Sequence, residues 1–264
     1  MTGADPRPVR LGADPLPSVG PASLTMGVFD GVHAGHRALL RATVSAARER
    51  GLRSVALVFD PHPDEVLKPG TRVPRLAPLA TNLGRIEDEI GIDHAIPIRF
   101  DAELRALTAE EFLAALAPAI ELRVIVMSPE SAFGRGRGGT VDRLRELGRE
   151  SGFGIVTVEP VTQGGVVISS RRVRDALAAG DVGQARGMGT APALVGRAGA
   201  TGTLTFGYLP ALPASGTYRV SLRDARAPAR EMRAVVAGDR VRLETDGGPQ
   251  PADEELEVEL LERL

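Results

Sequence analysis

Two hydrophobic periodicities divide this chain. From Ser23 to about residue 187, short β-rich apolar runs alternate with segments whose apolar residues recur at helical spacing. Strands are predicted at Leu24 to Phe29, Ser54 to Phe59, Ala95 to Ile98, Arg123 to Met127 and Gly154 to Val158. Between them, His36 to Arg50 places Leu39, Leu40, Val44 and Ala47 on one helical face and stops at Gly51. Further helices are predicted at Arg85 to Ile90, from the capping box Thr108-Ala-Glu-Glu111 to Leu116, at Val141 to Glu150, and at Arg172 to Ala179 with Gly180 as its stop.

Strands that read as almost unbroken apolar runs and alternate with helices predict an α/β, Rossmann-like doubly wound parallel sheet covered on both faces. Ligands of such sheets sit at the carboxyl ends of the strands. Beyond Gly187 the pattern changes to period two: "GTYRVSL", "MRAVVAG", "RVRLET" and "LEVELLERL" alternate as antiparallel strands do. Residues 192–264 are therefore expected to form a smaller, antiparallel all-β domain, and residues 1–22, rich in Pro, Gly and Ala, a flexible leader ahead of the 23–187 domain.

Composition narrows the chemistry. The 264 residues include no cysteine, which removes disulfides and thiolate metal sites and suits a reducing, cytoplasmic setting. A net charge of -2 gives no electrostatic case for nucleic acid or anionic lipid, and no apolar run reaches membrane-spanning length. Of four histidines, His33, His36 and His62 fall in two short segments that each follow a predicted strand, whereas His94 reads as an ordinary surface or core residue.

The first such segment is "MGVFDGVHAGH", Met26 to His36. Glycines at 27, 31 and 35 allow a sharp turn and close approach of a ligand to the backbone. A helix beginning near His36 points free N–H groups and its dipole at the same place, which favours an anion. His33 and His36, three apart, can place two ring donors beside that anion. The competing explanation is a metal pair, but two histidines without a third ligand make an incomplete zinc site, and no metal ligands are assigned.

H-x-G-H at a strand-to-helix turn resembles the signature of the nucleotidyltransferase superfamily. The longer "GVFDGVHAGH", followed in order by "FDPHP" at Phe59 to Pro63, "FGRGRGG" at Phe133 to Gly139 and "ISS..VR" at Ile168 to Arg174, resembles the adenylyltransferase module of prokaryotic bifunctional riboflavin kinase/FAD synthetases. That resemblance implies FMN adenylyltransfer, in which ATP with Mg²⁺ donates AMP to FMN to give FAD and pyrophosphate. It implies catalytic roles for His33, His36 and Arg174. Gly27, Phe29, Asp30, Gly31, Gly35, Ser169, Ser170 and Arg171 would bind the nucleotide. Phe59, Asp60, Pro61, His62, Pro63, Glu130 and Phe133 would bind the flavin. On the residues alone, "ISSRRVR" can instead be a capped helix with a solvated arginine face, "FDPHP" a strand end with a proline turn, and "FGRGRGG" a mobile basic loop.

Three departures from the family pattern bear on function. Arg171 stands where a small hydroxyl is usual. The loop Ser128-Pro-Glu-Ser-Ala-Phe133 places Glu130 and Ser131 where a shorter polar group and an aromatic address the flavin. "PASGTYRVSL" resembles a strand of the family's kinase barrel, yet Asn82 is the chain's one asparagine and no Pro-Thr pair occurs, so the Gly-x-Pro-Thr-Ala-Asn motif is absent. The C-terminal domain is thus expected to be a degenerate kinase barrel that has lost riboflavin kinase activity and serves docking or self-association into a homo-oligomer. Alternatives are transfer to another phosphorylated acceptor or flavin analogue, and a non-catalytic nucleotide- or flavin-binding protein.

Overall fold

The structure, a computed structural model, describes residues 6–223, 229–244 and 255–264. Five strands, β1 (Gly20–Gly27), β2 (Arg53–Asp60), β3 (His94–Arg99), β4 (Ile120–Met127) and β5 (Gly154–Thr157), form a sheet in the order β3-β2-β1-β4-β5. Every pairing in it is parallel. The buried runs read from the sequence are explained by cover on both faces. In β2, Val55 and Leu57 pack with Phe112 and Leu116 of the helix Ala109–Leu116, whereas Ala56 and Val58 pack with Leu40 and Val44 of the helix Ala34–Arg48. The chain-order reversal falls between β1 and β4, so the crevice above their carboxyl ends is the place a ligand is expected.

The helices are α1 (Ala34–Arg48), α2 (Pro63–Leu67), α3 (Leu79–Gly84), α4 (Ala102–Ala106), α5 (Ala109–Leu116), α6 (Val141–Ser151), α7 (Ser170–Ala178) and α8 (Val182–Gly187). The predicted capping box is present: the Thr108 hydroxyl accepts the Glu111 N–H and the Glu111 carboxylate accepts the Thr108 N–H. A hairpin, β6 (Thr162–Gln163) with β7 (Val166–Val167), precedes α7. The C-terminal strands β8 (Ala193–Ala198), β9 (Leu204–Thr205), β10 (Gly216–Arg223), β11 (Arg230–Ala237), β12 (Arg240–Glu244) and β13 (Glu255–Arg263) are antiparallel in the order β12-β11-β10-β13-β8-β9. A bridge between Thr203 and Arg242 brings the two ends of this sheet together and nearly closes it into a barrel.

Several boundaries differ from the sequence expectation, among them β4, which begins at Ile120 rather than Arg123, and α7, which begins at Ser170 rather than Arg172. The arm expected to be a free leader pairs with the sheet: Val9 donates to the Pro97 carbonyl and accepts from the Arg99 N–H, both at 2.8 Å, and β1 already begins at Gly20. Residues 1–5 of that arm and the last residue of "RVRLET" lie outside the described residues. Helix α1 starts at Ala34 rather than His36, because the His33 ring caps it. The helix expected at Arg85 is the π-helical continuation, Arg85–Ile90, of α3.

The core of the barrel takes in α7, α8 and Leu76, whereas the five-stranded sheet packs in clusters of its own. Val173 and Leu177 of α7, Val182 of α8, and Leu76 cluster with Tyr218, Val220, Leu256 and Val258. Across the same boundary, buried Arg85 pairs with Glu257 at 3.1 Å while its Nη1 has no partner among the described residues. Removing the carboxylate leaves a guanidinium desolvated and unpaired, which is costly even though Glu257 is itself about one-third exposed. Glu257→Ala is expected to destabilise the protein by about 2 kcal/mol in denaturant unfolding, and the double variant Arg85→Met/Glu257→Ala by less. A double variant weaker than Glu257→Ala would show that the buried charge is not the cause.

Candidate active site

The turn after β1 is built under constraint. Phe29 (φ 51°), Gly31 (φ 76°) and Val32 (φ 42°) all occupy left-handed backbone, a strained choice for the first and third. Both side chains are fully buried, so packing holds them there. His33 then caps α1: its Nδ1 accepts the His36 N–H at 3.4 Å, which puts the ring proton on Nε2. His36 stacks on His33 with centroids 3.6 Å apart, and the Phe29 edge meets His36 at 5.2 Å. Gly35 is needed beneath the pair, since a Cβ there would lie 3.2 Å from the His33 ring.

Burial lowers the pKa of His33 to about 4, and that of His36 well below the ordinary 6.5. At neutral pH both imidazoles are uncharged. His36 Nδ1 is buried without a hydrogen-bond partner among the described residues.

Beside this pair lies Asp30, 1% exposed. Its carboxylate accepts the Leu76 N–H (2.9 Å) and the Ala77 N–H (3.3 Å) and pairs with Arg174 Nη1 at 3.1 Å. Burial raises its pKa, opposed chiefly by Arg174 and Arg75. The late motif and the early turn therefore meet: Arg174 reaches across 144 residues to Asp30, and its charge is also felt at His33 and His62. His62 caps α2 through Nδ1, and its pKa is lowered by burial, then by Arg75 and Arg174. Arg75, paired with Asp60 at 3.0 Å, brings a second guanidinium to the group.

Two clefts adjoin the site. The smaller, of about 320 Å³, is lined by Gly27, Phe59, Met127, Glu130, Ser131 and Phe133 at the carboxyl ends of β1, β2 and β4. The larger, of about 650 Å³, lies between the α/β layer and the barrel, with Phe59, Asp60, Pro61 and Arg75 on one side and Arg197, Phe206 and Tyr208 on the other. Phe59 touches both.

Several residues expected to touch ligand are placed differently. Phe29 is a buried support for the His36 ring, and Asp30 is engaged inside the protein. Ser169 caps α7 and Ser170 donates to the Asp30 carbonyl at 3.0 Å. Arg171 is 86% exposed beside Asp175 and is not brought to the histidines, because the first turn of α7 points it outward. Pro63 opens α2. The "FGRGRGG" segment is docked rather than loose: Arg135 N–H donates to Leu107 at 2.7 Å, and a Cβ on Gly134 would meet Ala109 N at 2.7 Å. Sequence reading missed Arg75, Asn82 and Thr190. Asn82 Oδ1 accepts the Gly31 N–H at 3.0 Å and Thr190 donates to the Gly31 carbonyl at 2.5 Å. Of these, only Asn82 carried a signal, as the chain's single asparagine.

A parallel α/β sheet with a buried H-x-G-H pair and a distant arginine converging on its first βα turn is the arrangement of a nucleotidyltransferase. Residues 17–172 match the FAD synthetase family, and the chain belongs to that family. The bifunctional riboflavin kinase/FMN adenylyltransferase of Escherichia coli K12 is 38% identical over 156 residues, 59% of this chain and 50% of the relative. The Pseudomonas fluorescens protein of the same description is 36% identical over 158 residues, 60% of this chain and 50% of its own. This chain thus spans about half the length of these curated relatives. A Listeria monocytogenes FAD synthetase is 31% identical over 203 residues, 75% of this chain and 80% of the relative. The crystal structure of a Streptococcus pneumoniae protein described as a macrolide-efflux protein superposes with a TM-score of 0.83 at 26% identity, covering 97% of this chain and 98% of that one. Among the described residues no helix is long and apolar enough to cross a membrane.

The histidine pair makes stability depend on pH in a defined direction. An imidazole held near 4 when folded and near 6.5 when unfolded binds its proton more readily in the unfolded chain. Its contribution is complete above about pH 6.5 and is lost as pH falls towards 4, about 3 kcal/mol for His33. Unfolding measured at pH 7 and pH 4.5 should show this slope in the parent protein and a smaller one in His33→Asn. An unchanged slope would refute the assignment.

Proposed function

We propose that the protein is an FMN adenylyltransferase: it binds Mg·ATP and FMN and releases FAD and pyrophosphate. The observation that carries this reading is the meeting of His33, His36 and Arg174 at one turn whose neighbouring cleft is lined by Phe59 and Phe133. Family membership and the description of the Listeria relative support it.

In this reaction an oxygen of the FMN phosphate attacks the α-phosphorus of ATP, and the bond from that phosphorus to the bridging oxygen breaks. Pyrophosphate leaves with Mg²⁺ as counter-ion. The acceptor is already an anion, so no general base is required. The protein's task is alignment and stabilisation of charge as it develops. Neutral imidazoles suit that task, because each offers a ring N–H without the cost of keeping a cation buried. His33 and His36 are assigned to the α-phosphate and its bridging oxygen, and Arg174 to the leaving phosphates. Gly27 and Gly35 let the polyphosphate approach the backbone. The flavin is assigned to the cleft of Phe59, Glu130 and Phe133; Asp60 and Pro61 line the neighbouring cleft that shares the Phe59 wall.

Riboflavin kinase activity is assigned as absent, since the kinase motif has no counterpart in the chain. Glu130 favours a second reading in which the acceptor is a different phosphorylated molecule, because a carboxylate lines the cleft where the flavin would lie.

Purified protein with Mg·ATP and FMN should yield FAD and pyrophosphate by chromatography; pyrophosphate with another acceptor only would select the second reading. His36→Ala should lower kcat about 100-fold with a much smaller change in the KM for ATP, since its contact strengthens in the transition state. Equal losses in both would remove His36 from that role.

A further inference from the structure

We propose that the C-terminal domain is a working part of the transfer site, and that Thr190, at its entrance, is a positioning residue for the catalytic turn. This rests on reading that turn as the transfer site, and it gives the barrel a task that needs no kinase motif.

Two clasps run from the C-terminal part of the chain to the site. The first comes from the segment joining α8 to β8. Thr190 Oγ1 donates to the Gly31 carbonyl at 2.5 Å, the Met188 carbonyl accepts the Ala34 N–H at 2.9 Å, and the Gly189 carbonyl accepts from Arg37 Nε at 3.3 Å. These three contacts grip the turn on both sides of His33. Gly189, at φ 77°, lies so close that a Cβ would come within 2.9 Å of the Ala34 side chain.

The second clasp holds the strap that carries Arg75, Leu76 and Ala77. The Arg75 N–H donates to the Leu209 carbonyl and the Arg75 carbonyl accepts the Ala211 N–H, both at 2.8 Å, so the strap is paired with the barrel by its backbone. The next two N–H groups of the strap are the ones that hold Asp30, and Asp30 holds Arg174. Both clasps close on Gly31. A Cβ there would meet Leu76 of the strap at 2.7 Å and Thr190 at 3.2 Å. The height of the histidines over the sheet and the reach of Arg174 are therefore both set by residues beyond Gly187.

The test uses the full-length chain with three variants. Thr190→Val keeps the shape and removes the hydroxyl, Thr190→Ser keeps the hydroxyl, and Gly189→Ala pushes the segment off the turn. Hydrogen exchange, binding of a non-hydrolysable ATP analogue, and kcat and KM for FAD formation are measured on each. Thr190→Val and Gly189→Ala are expected to speed exchange at Ala34 and Leu76 about tenfold while β10 and β13 stay protected. They are also expected to lower kcat about tenfold with the KM for ATP within about threefold, and Thr190→Ser to recover most of the loss. Thr190→Val with parental exchange and parental kcat would overturn the proposal, as would a Thr190→Ser variant as impaired as Thr190→Val. If the parent protein forms no FAD, the acceptor assignment fails, and exchange together with analogue binding still decides the clasp.

Discussion

The structure around the site depends on one buried carboxylate. Asp30 is almost fully removed from water, and an ionised group so placed is tolerable only when charge and hydrogen bonds replace its hydration. Arg174 supplies the charge, and Leu76 and Ala77 supply backbone donors. The three come from α7 and from the strap after β2, so neutralising Asp30 is the same event as assembling the site. Burial alone would push the proton onto the carboxylate, and the two arginines nearby oppose that. The long-range pairing is thus held by the cost of leaving either partner alone.

The histidines show the complementary strategy. They are kept uncharged by desolvation, and one of them spends its Nδ1 on the end of α1, which fixes which nitrogen carries the proton. Left-handed backbone at Phe29 and Val32 delivers the rings to that position, and full burial of both side chains opposes relaxation of the turn. Catalysis by alignment requires such rigidity more than it requires acid or base strength. The flanking clefts measure about 650 and 320 Å³, and Phe59 forms a wall common to both.

Much of this was legible in the sequence, for identifiable reasons. Unbroken apolar strands signal cover on both faces, and Thr108 with Glu111, Gly51 and Gly180 mark helix ends through local chemistry that tertiary context did not override. That Arg174 belongs with the H-x-G-H turn was an expectation carried by the family resemblance, and the structure pairs Arg174 with Asp30 of that turn. What stayed hidden involved backbone atoms or exchanged side-chain roles. Val9 and Arg75 pair through N–H and C=O groups, which leave no pattern in residue type. A histidine as helix cap is not a usual start signal, so α1 was read two residues short. Leu79 to Gly84 is six residues, less than two turns, and too short to show helical period. Arg171 and Arg75 look equally suited to phosphate on paper; only the direction imposed by α7 turns the first to solvent.

The apolar cluster that Tyr218, Val220 and Val258 share with Val173, Leu177 and Met188 has a further consequence. With α7 and α8 packed into the barrel's core, the barrel cannot melt without loosening the helix that carries Arg174, while the parallel sheet keeps clusters of its own. Excising the barrel would open the floor beneath α7 to water. The barrel strands are thus the floor on which the Arg174 helix rests.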